Sequence, residues 1–238
     1  MAVGLAVPAM LLGAGRAWAL SLQIQSGPRA SEPMEWAAVL TLITVAPALL
    51  VMLTSFTRIV IVLALLRQAL GLQQTPPNIV LTGIALLLTV FVMAPVWKSI
   101  EDSALTPYLA EQIGPREAIS RAETPLREFM LKQTREADLE MARSLLARGR
   151  QTQPSNDALP FYALIPAFIT SELTAAFRIG FLIYLPFLAI DLVVSAILMA
   201  LGMFMLSPTL ISLPLKLLVF TMASGWPLLV RSLVTSFR

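Results

Sequence analysis

The sequence predicts an all-α fold: a polytopic membrane protein of two helical hairpins flanking a helical extramembrane domain. Three observations carry this. Hydrophobic residues make up 57% of the 238-residue chain and charged residues only 13%, against about 25% charged in an ordinary soluble domain. The charges are also unevenly placed, with 19 of the 31 falling in residues 97–158. On either side lie apolar stretches near the 20 or so residues that cross a bilayer, punctuated by Gly and Pro.

The same composition excludes several functions. There is no cysteine and no histidine, which removes disulfides, Cys/His zinc sites and imidazole acid–base chemistry. A net charge of +3 is too small for a nucleic-acid binder. No G-x-x-x-x-G-K-[ST] loop occurs, so the chain is not expected to hydrolyse ATP. The expectation is a non-enzyme without cofactor or metal.

Residues 1–19 read as a signal peptide: an apolar run to Leu12, then Ala17-Trp18-Ala19 as a small-x-small cleavage pattern. No basic residue precedes Arg16, so an uncleaved anchor is the alternative. Residues 20–35 are a short periplasmic segment. Residues 36–97 form the first membrane hairpin. Residues 36–57 are uncharged and kinked at Pro47, the apolar run resumes after Arg58, Gly71 and Thr75-Pro76-Pro77 make the turn, and 79–97 are the second span. Trp36 and Trp97 fit interfacial positions.

Residues 98–158 are the polar periplasmic domain. Apolar spacing predicts one helix over 123–149, starting at Thr124-Pro125 and stopping at Gly149, with Glu128/Lys132 as an i,i+4 pair. Residues 159–238 form the second hairpin. Residues 161–200 are expected as two helical pieces meeting near Pro186, and 209–230 as a last helix interrupted at Pro214 and Lys216. A cleaved signal peptide puts the polar domain outside and the loop of the second hairpin on the cytoplasmic side. It also puts the C-terminus outside, a placement that Arg231 and Arg238 oppose under the positive-inside rule.

Five charges lie in the apolar helices: Arg58, Glu172, Arg178, Asp191 and Lys216. None has an opposite charge three or four residues away on its own helix. Each therefore needs a partner on another helix, on another chain, or in water. Counting back from the loop, Lys216 lies about 11 Å along its arm, level with Val194, so Asp191 is its nearest acid. Glu172 is left to Arg58 or to a base of another subunit. Three roles stay open: an ion pair that fixes packing, a proton or ion relay, and pairing at a subunit interface. Small residues along the apolar helices (Gly83, Ala85, Gly180, Ser195, Ala196, Ala200) allow close helix approach and point to a homo-oligomer.

The loop of the second hairpin carries Met199, Gly202, Met203, Phe204 and Met205, and no charge. Methionine often simply fills apolar space. Loops are ordinarily polar, however, so an uncharged one at a hairpin tip is expected to be buried. In a ring of copies it could point at the axis as a deformable pore gate.

Four blocks occur in order: LTSFTRIVIVLALLRQALGLQQTPPN (53–78), PLREFMLKQTREADLE (125–140), LIPAFITSELTAAFRIGFLIYLPFLAIDLVVSAILMALGMFM (164–205) and SLPLKLLVFTMASGW (212–226). Together they make the chain resemble the FliP family of flagellar biosynthetic proteins from residue 40 onward. The resemblance implies a subunit of the type III export gate, in the bacterial inner membrane at the flagellar basal body. Several copies would join FliQ and FliR, with other export-apparatus membrane proteins, in a helical pore that conducts unfolded protein substrates. Much of that complex would stand on the periplasmic side, in contact with membrane lipid. Where the family often has three methionines after the glycine, this chain has Met203-Phe204-Met205. The homologous injectisome gate subunit is the near alternative, and a small ion or proton transporter using Glu172 and Asp191 is the distant one. Transporters usually show internal repeats, and no clear internal symmetry appears here.

Overall fold

In a computed structural model the described residues are 40, 41, 44, 51–147 and 159–237. The chain divides into two compact units, 1–48 and 49–238. The signal-peptide reading, the Pro47 kink and the Gly149 stop lie outside the described residues. In the second unit these residues form helices and no strand: α1 (Phe56–Ala69), α2 (Asn78–Ile100), a π-helical turn (Glu101–Leu105), α3 (Thr106–Leu109), α4 (Pro115–Gln133), α5 (Glu136–Ala147), α6 (Phe161–Ala200), α7 (Pro208–Met222) and α8 (Gly225–Thr235). Two stretches, Asn78–Leu109 and Phe161–Ala200, are long and apolar enough to cross a membrane, and α7 with α8 makes a third if taken as one broken span.

α1 is the centre of the unit. Ile59, Val62, Leu63 and Leu66 recur at helical spacing, and each is 2% exposed or less. They pack with Ala176 and Phe187 of α6 and Phe220 of α7. A second cluster, including Met93, Phe129, Met130, Leu139 and Phe168, joins α2, α4 and α5 to the start of α6. Cross-contacts fix the register. Arg58 meets Glu172, Leu65 meets Gly180, and Lys216, paired with Asp191, reaches the Ala69 carbonyl. α1 and α6 therefore run parallel, with α7–α8 antiparallel to them. The α1–α2 turn stands level with Asp191, and α6 continues about 15 Å further to the tip of its hairpin.

The two turns share one device. At the end of α1, Leu72 N–H donates to Arg67 O (3.1 Å) and Gly71 N–H to Gln68 O (3.0 Å). At the end of α6, Met203 N–H donates to Leu198 O (2.9 Å) and Gly202 N–H to Met199 O (3.1 Å). Both glycines are left-handed, at φ 79° and 73°. This is the Schellman arrangement, in which a glycine takes a conformation that costs other residues energy.

Several helix boundaries differ from expectation. α6 is one helix of 40 residues, about 60 Å long, and runs through both Pro166 and Pro186. A proline costs one backbone bond, but packing on both sides holds the helix together, with Ala167 and Phe187 buried beside the two prolines. The last helix does not break at Pro214. It bends by 66° between α7 and α8, where Ser224 is left-handed (φ 52°) and a Cβ on Gly225 would collide with the Phe220 ring.

In the polar segment α4 starts ten residues before Pro125, after Gly114, and the expected single helix is split at Thr134. Thr134 turns extended (ψ 132°), its hydroxyl donates to Met130 O (2.7 Å), and Arg135 N–H donates to Ser171 Oγ of α6 (2.9 Å). No local pattern announces that cross-helix bond. Among the described residues the i,i+4 ion pairs on α4 are Glu117–Arg121 and Glu123–Arg127, not Glu128–Lys132. The apolar run ahead of α1 is also interrupted, over residues 53–55. There the Thr54 hydroxyl donates to Val51 O (3.0 Å) and accepts from Phe56 N–H (3.4 Å), competing with the helical bonds.

At Gly180 α6 lies close against α1. A Cβ there would collide with Leu65 Cδ1 and lie 3.0 Å from Leu65 Cβ and 3.1 Å from its Cγ. Gly180→Ala gains helix propensity of about 1 kcal/mol, which offsets part of the clash. Gly180→Val has no such offset and is expected to cost about 1–3 kcal/mol by overpacking. Thermal unfolding of the three proteins in one detergent checks the order Gly, Ala, Val.

Candidate functional site

Four of the five membrane charges meet as two pairs. Arg58, on the first turn of α1, is 4% exposed and Glu172 of α6 is fully buried. Arg58 Nε donates to Glu172 Oε2 (2.9 Å) and its Nη2 to Oε1 (2.5 Å), the bidentate fork that guanidinium and carboxylate favour. The remaining donors are also used. Nη1 donates to the Ser236 carbonyl (2.9 Å) and hydroxyl (3.1 Å), and Nη2 to Gln133 Oε1 (3.3 Å). The Phe237 ring lies 4.0 Å from the guanidinium carbon and stacks on Phe129 at 6.5 Å. Arg58 thus ties together α1, α6, the end of α4 and the segment after α8.

The second pair sits toward the hairpin tip. Lys216 of α7 donates to Asp191 Oδ2 (2.7 Å) and to the Ala69 carbonyl (3.1 Å). Ser212, one turn before Lys216, donates to Asp191 Oδ1 (2.6 Å). The lysine side chain is 5% exposed and the aspartate 25%. Along α6 the two pairs are about 28 Å apart, too far for a proton to pass directly between them.

Arg178 is not brought into either cluster. It is exposed on α6, and among the described residues no hydrogen bond or ion pair involves it. Sequence reading missed Gln133, Ser212, Ser236 and Phe237, because uncharged residues from distant segments carry no local signal of a shared partner.

The loop is turned outward in the single chain. Met205 is fully exposed, Phe204 is 78% and Met203 39% exposed. Met199, on the last turn of α6, is 59% exposed. Gly202 sets the turn, and Ser207 and Thr209 share a hydroxyl contact at 2.6 Å beside Pro208, which opens α7. An apolar tip of this kind requires lipid or protein cover. Among the described residues no cluster of acids suits a metal ion.

Residues 39–233 match the FliP family. The chain belongs to the FliP family. It is 49% identical over 223 residues to the "Flagellar biosynthetic protein FliP" of Pectobacterium carotovorum, covering 94% of this chain and 81% of that protein. The FliP of Cereibacter sphaeroides is 48% identical over 223 residues, covering 94% and 69% of the two chains. The FliP of Bacillus subtilis is 47% identical over 199 residues, covering 83% and 89%. The ion-pair residues and the methionine loop all fall within the part that matches FliP.

Proposed function

We propose that this chain is a pore-forming subunit of the flagellar type III protein export gate. Several copies assemble with FliQ and FliR subunits in the bacterial inner membrane at the flagellar basal body, and the assembly conducts unfolded flagellar proteins. The relatives' names, all flagellar, favour this over an injectisome subunit. The chain itself carries out no catalysis.

The observation that carries the reading is the loop. It is apolar, uncharged and exposed, and it is held on a glycine turn at the tip of a hairpin that outreaches the neighbouring one. In a ring of copies these tips converge. Methionine is unbranched and flexible, so Met203 and Met205 close around whatever occupies the axis, and Phe204 adds bulk. A hydrophobic constriction of this kind also stops ions by dewetting. The Asp191–Lys216 pair holds α7 in register with α6, and the Arg58–Glu172 pair holds α6 in register with α1, so that each copy delivers its loop at the same height.

Replacing 203–205 by Gly-Ser-Gly is the test. Cells carrying the variant are expected to leak small ions across the inner membrane while exporting a reduced but measurable amount of flagellar protein. Unchanged ion permeability, with the complex shown to be assembled, would remove the loop's role as a pore gate.

A further inference from the structure

On the flank formed by α2, α4 and α8 a cavity of about 490 Å³ opens outward, within the size range of ligand pockets. Its walls are graded along their length. One end is apolar, with Phe91 and Val92 of α2 and Val234 of α8. The other end carries Ser99 of α2 and Glu128 of α4, and Lys132 lies between the two ends. Glu128 and Lys132 are both exposed. They stand one turn apart, yet among the described residues neither makes an ion pair, with the other or with any further group.

Helix directions fix the order of these groups. α4 runs parallel to α6: the Leu159 carbonyl accepts from Arg127 Nη1 (2.6 Å) and the Gln133 carbonyl from Ser171 Oγ (3.3 Å). α2 runs against both, so Ser99 of α2 and Glu128 of α4 share one end of the groove. Lys132 is therefore about 6 Å nearer the apolar end than Glu128. Trp97 and Lys98 close the apolar stretch of α2 beside Ser99, which sets that end at headgroup level and Phe91 within the hydrocarbon. Outward from the hydrocarbon the groove presents apolar wall, then cation, then anion. Arg58, behind Gln133 and Phe237 of the lining, adds no net charge because Glu172 neutralises it.

A phospholipid with a phosphoethanolamine headgroup has the complementary order: acyl chain, phosphate anion, then a primary ammonium on a two-carbon tether. We propose that the α2/α4/α8 groove holds such a lipid, its acyl chain against Phe91 and Val92, its phosphate on Lys132 and its ammonium on Glu128. Both polar contacts are charge-assisted hydrogen bonds, and basic pockets beside spanning helices are known headgroup sites. Glu128 supplies the selectivity. A phosphoglycerol headgroup brings it no cation, and a phosphocholine headgroup brings one with no N–H to donate. An apolar partner helix would leave both charges unmatched.

The test uses the whole complex in mild detergent, titrated with dioleoyl lipids that differ only in headgroup, with native mass spectrometry counting the lipids retained. The ethanolamine lipid is expected to be retained in preference to the glycerol and choline lipids. Glu128→Gln and Lys132→Gln are each expected to lower its retention about fivefold. Exchanging the charges, Glu128→Lys with Lys132→Glu, keeps the net charge but reverses its order, and is expected to abolish the preference. Both side chains are exposed, so these variants keep the fold. In the otherwise unaltered chain, a photoreactive phenylalanine analogue at Val92 is expected to gain an adduct of lipid mass. Three results overturn the proposal: equal retention of the three lipids, retention of the ethanolamine lipid unmoved by the charge exchange, or a cross-link from position 92 to a protein chain.

Discussion

Glu172→Ala is expected to destabilise the protein by about 3–5 kcal/mol, the usual cost of stranding one member of a buried ion pair. Arg58 would stay 4% exposed with no anion left. Its other partners, Ser236 and Gln133, are neutral and cannot offset the charge. Loss is expected first at the Arg58 end, where Phe237 and Phe129 are held by the same guanidinium. The paired change Arg58→Met with Glu172→Leu removes both charges at similar volume, and should recover most of the loss, because a buried pair contributes little net stability over apolar isosteres. It should not restore the hydrogen bonds from Arg58 to Ser236 or its contact with the Phe237 ring, so the segment after α8 keeps only its apolar packing. Thermal unfolding reads the first effect, and protease sensitivity after residue 230 reads the second. A Glu172→Ala protein as stable as the parent would refute the structural weight given to this pair.

At the second pair the two single losses are expected to be unequal. Asp191→Ala strands Lys216, whose side chain is 5% exposed and keeps only the Ala69 carbonyl. Lys216→Ala leaves an aspartate that is 25% exposed and still bonded by Ser212. The first should therefore cost more, by about 1–2 kcal/mol out of a penalty of about 3–5 kcal/mol. Exchanging the two charges should recover only part, since an aspartate at 216 cannot donate to Ala69 O. Assembled complex and swimming motility, measured for both singles and the exchange, give the coupling. No coupling between the positions would reject the pairing as a contributor to assembly.

These two pairs show what was legible beforehand and what was not. Asp191 and Lys216 sit on the two arms of one hairpin with a short loop, so counting residues from Gly202 sets them level. Arg58 and Glu172 are separated by 114 positions, and sequence could only leave Glu172 a choice between Arg58 and another chain. The polar residues that complete each cluster were not legible, because hydroxyls and amides have no pattern that names a distant partner. Helix breaks were read at the wrong residues for one physical reason. A proline interrupts a helix only if packing lets it, and Pro125, Pro186 and Pro214 all lie within continuous helices. The real breaks use a Thr that turns extended (Thr134) and a left-handed Ser (Ser224). The fold class was legible because it rests on bulk composition and the length of apolar runs, which tertiary packing does not alter.

The tip of the second hairpin stands about 15 Å beyond the α1–α2 turn, while α2 climbs from the same turn in the opposite direction with Ile79, Leu87, Val90 and Phe91 exposed along it. From Ile79 to Trp97 that face is about 27 Å tall. The chain's outward apolar surface therefore covers about 40 Å of height, against about 30 Å of hydrocarbon in a bilayer. This is a hydrophobic mismatch that tilting one helix cannot remove, since the two faces overshoot at opposite ends. Roughly a quarter of the height is left for protein to cover.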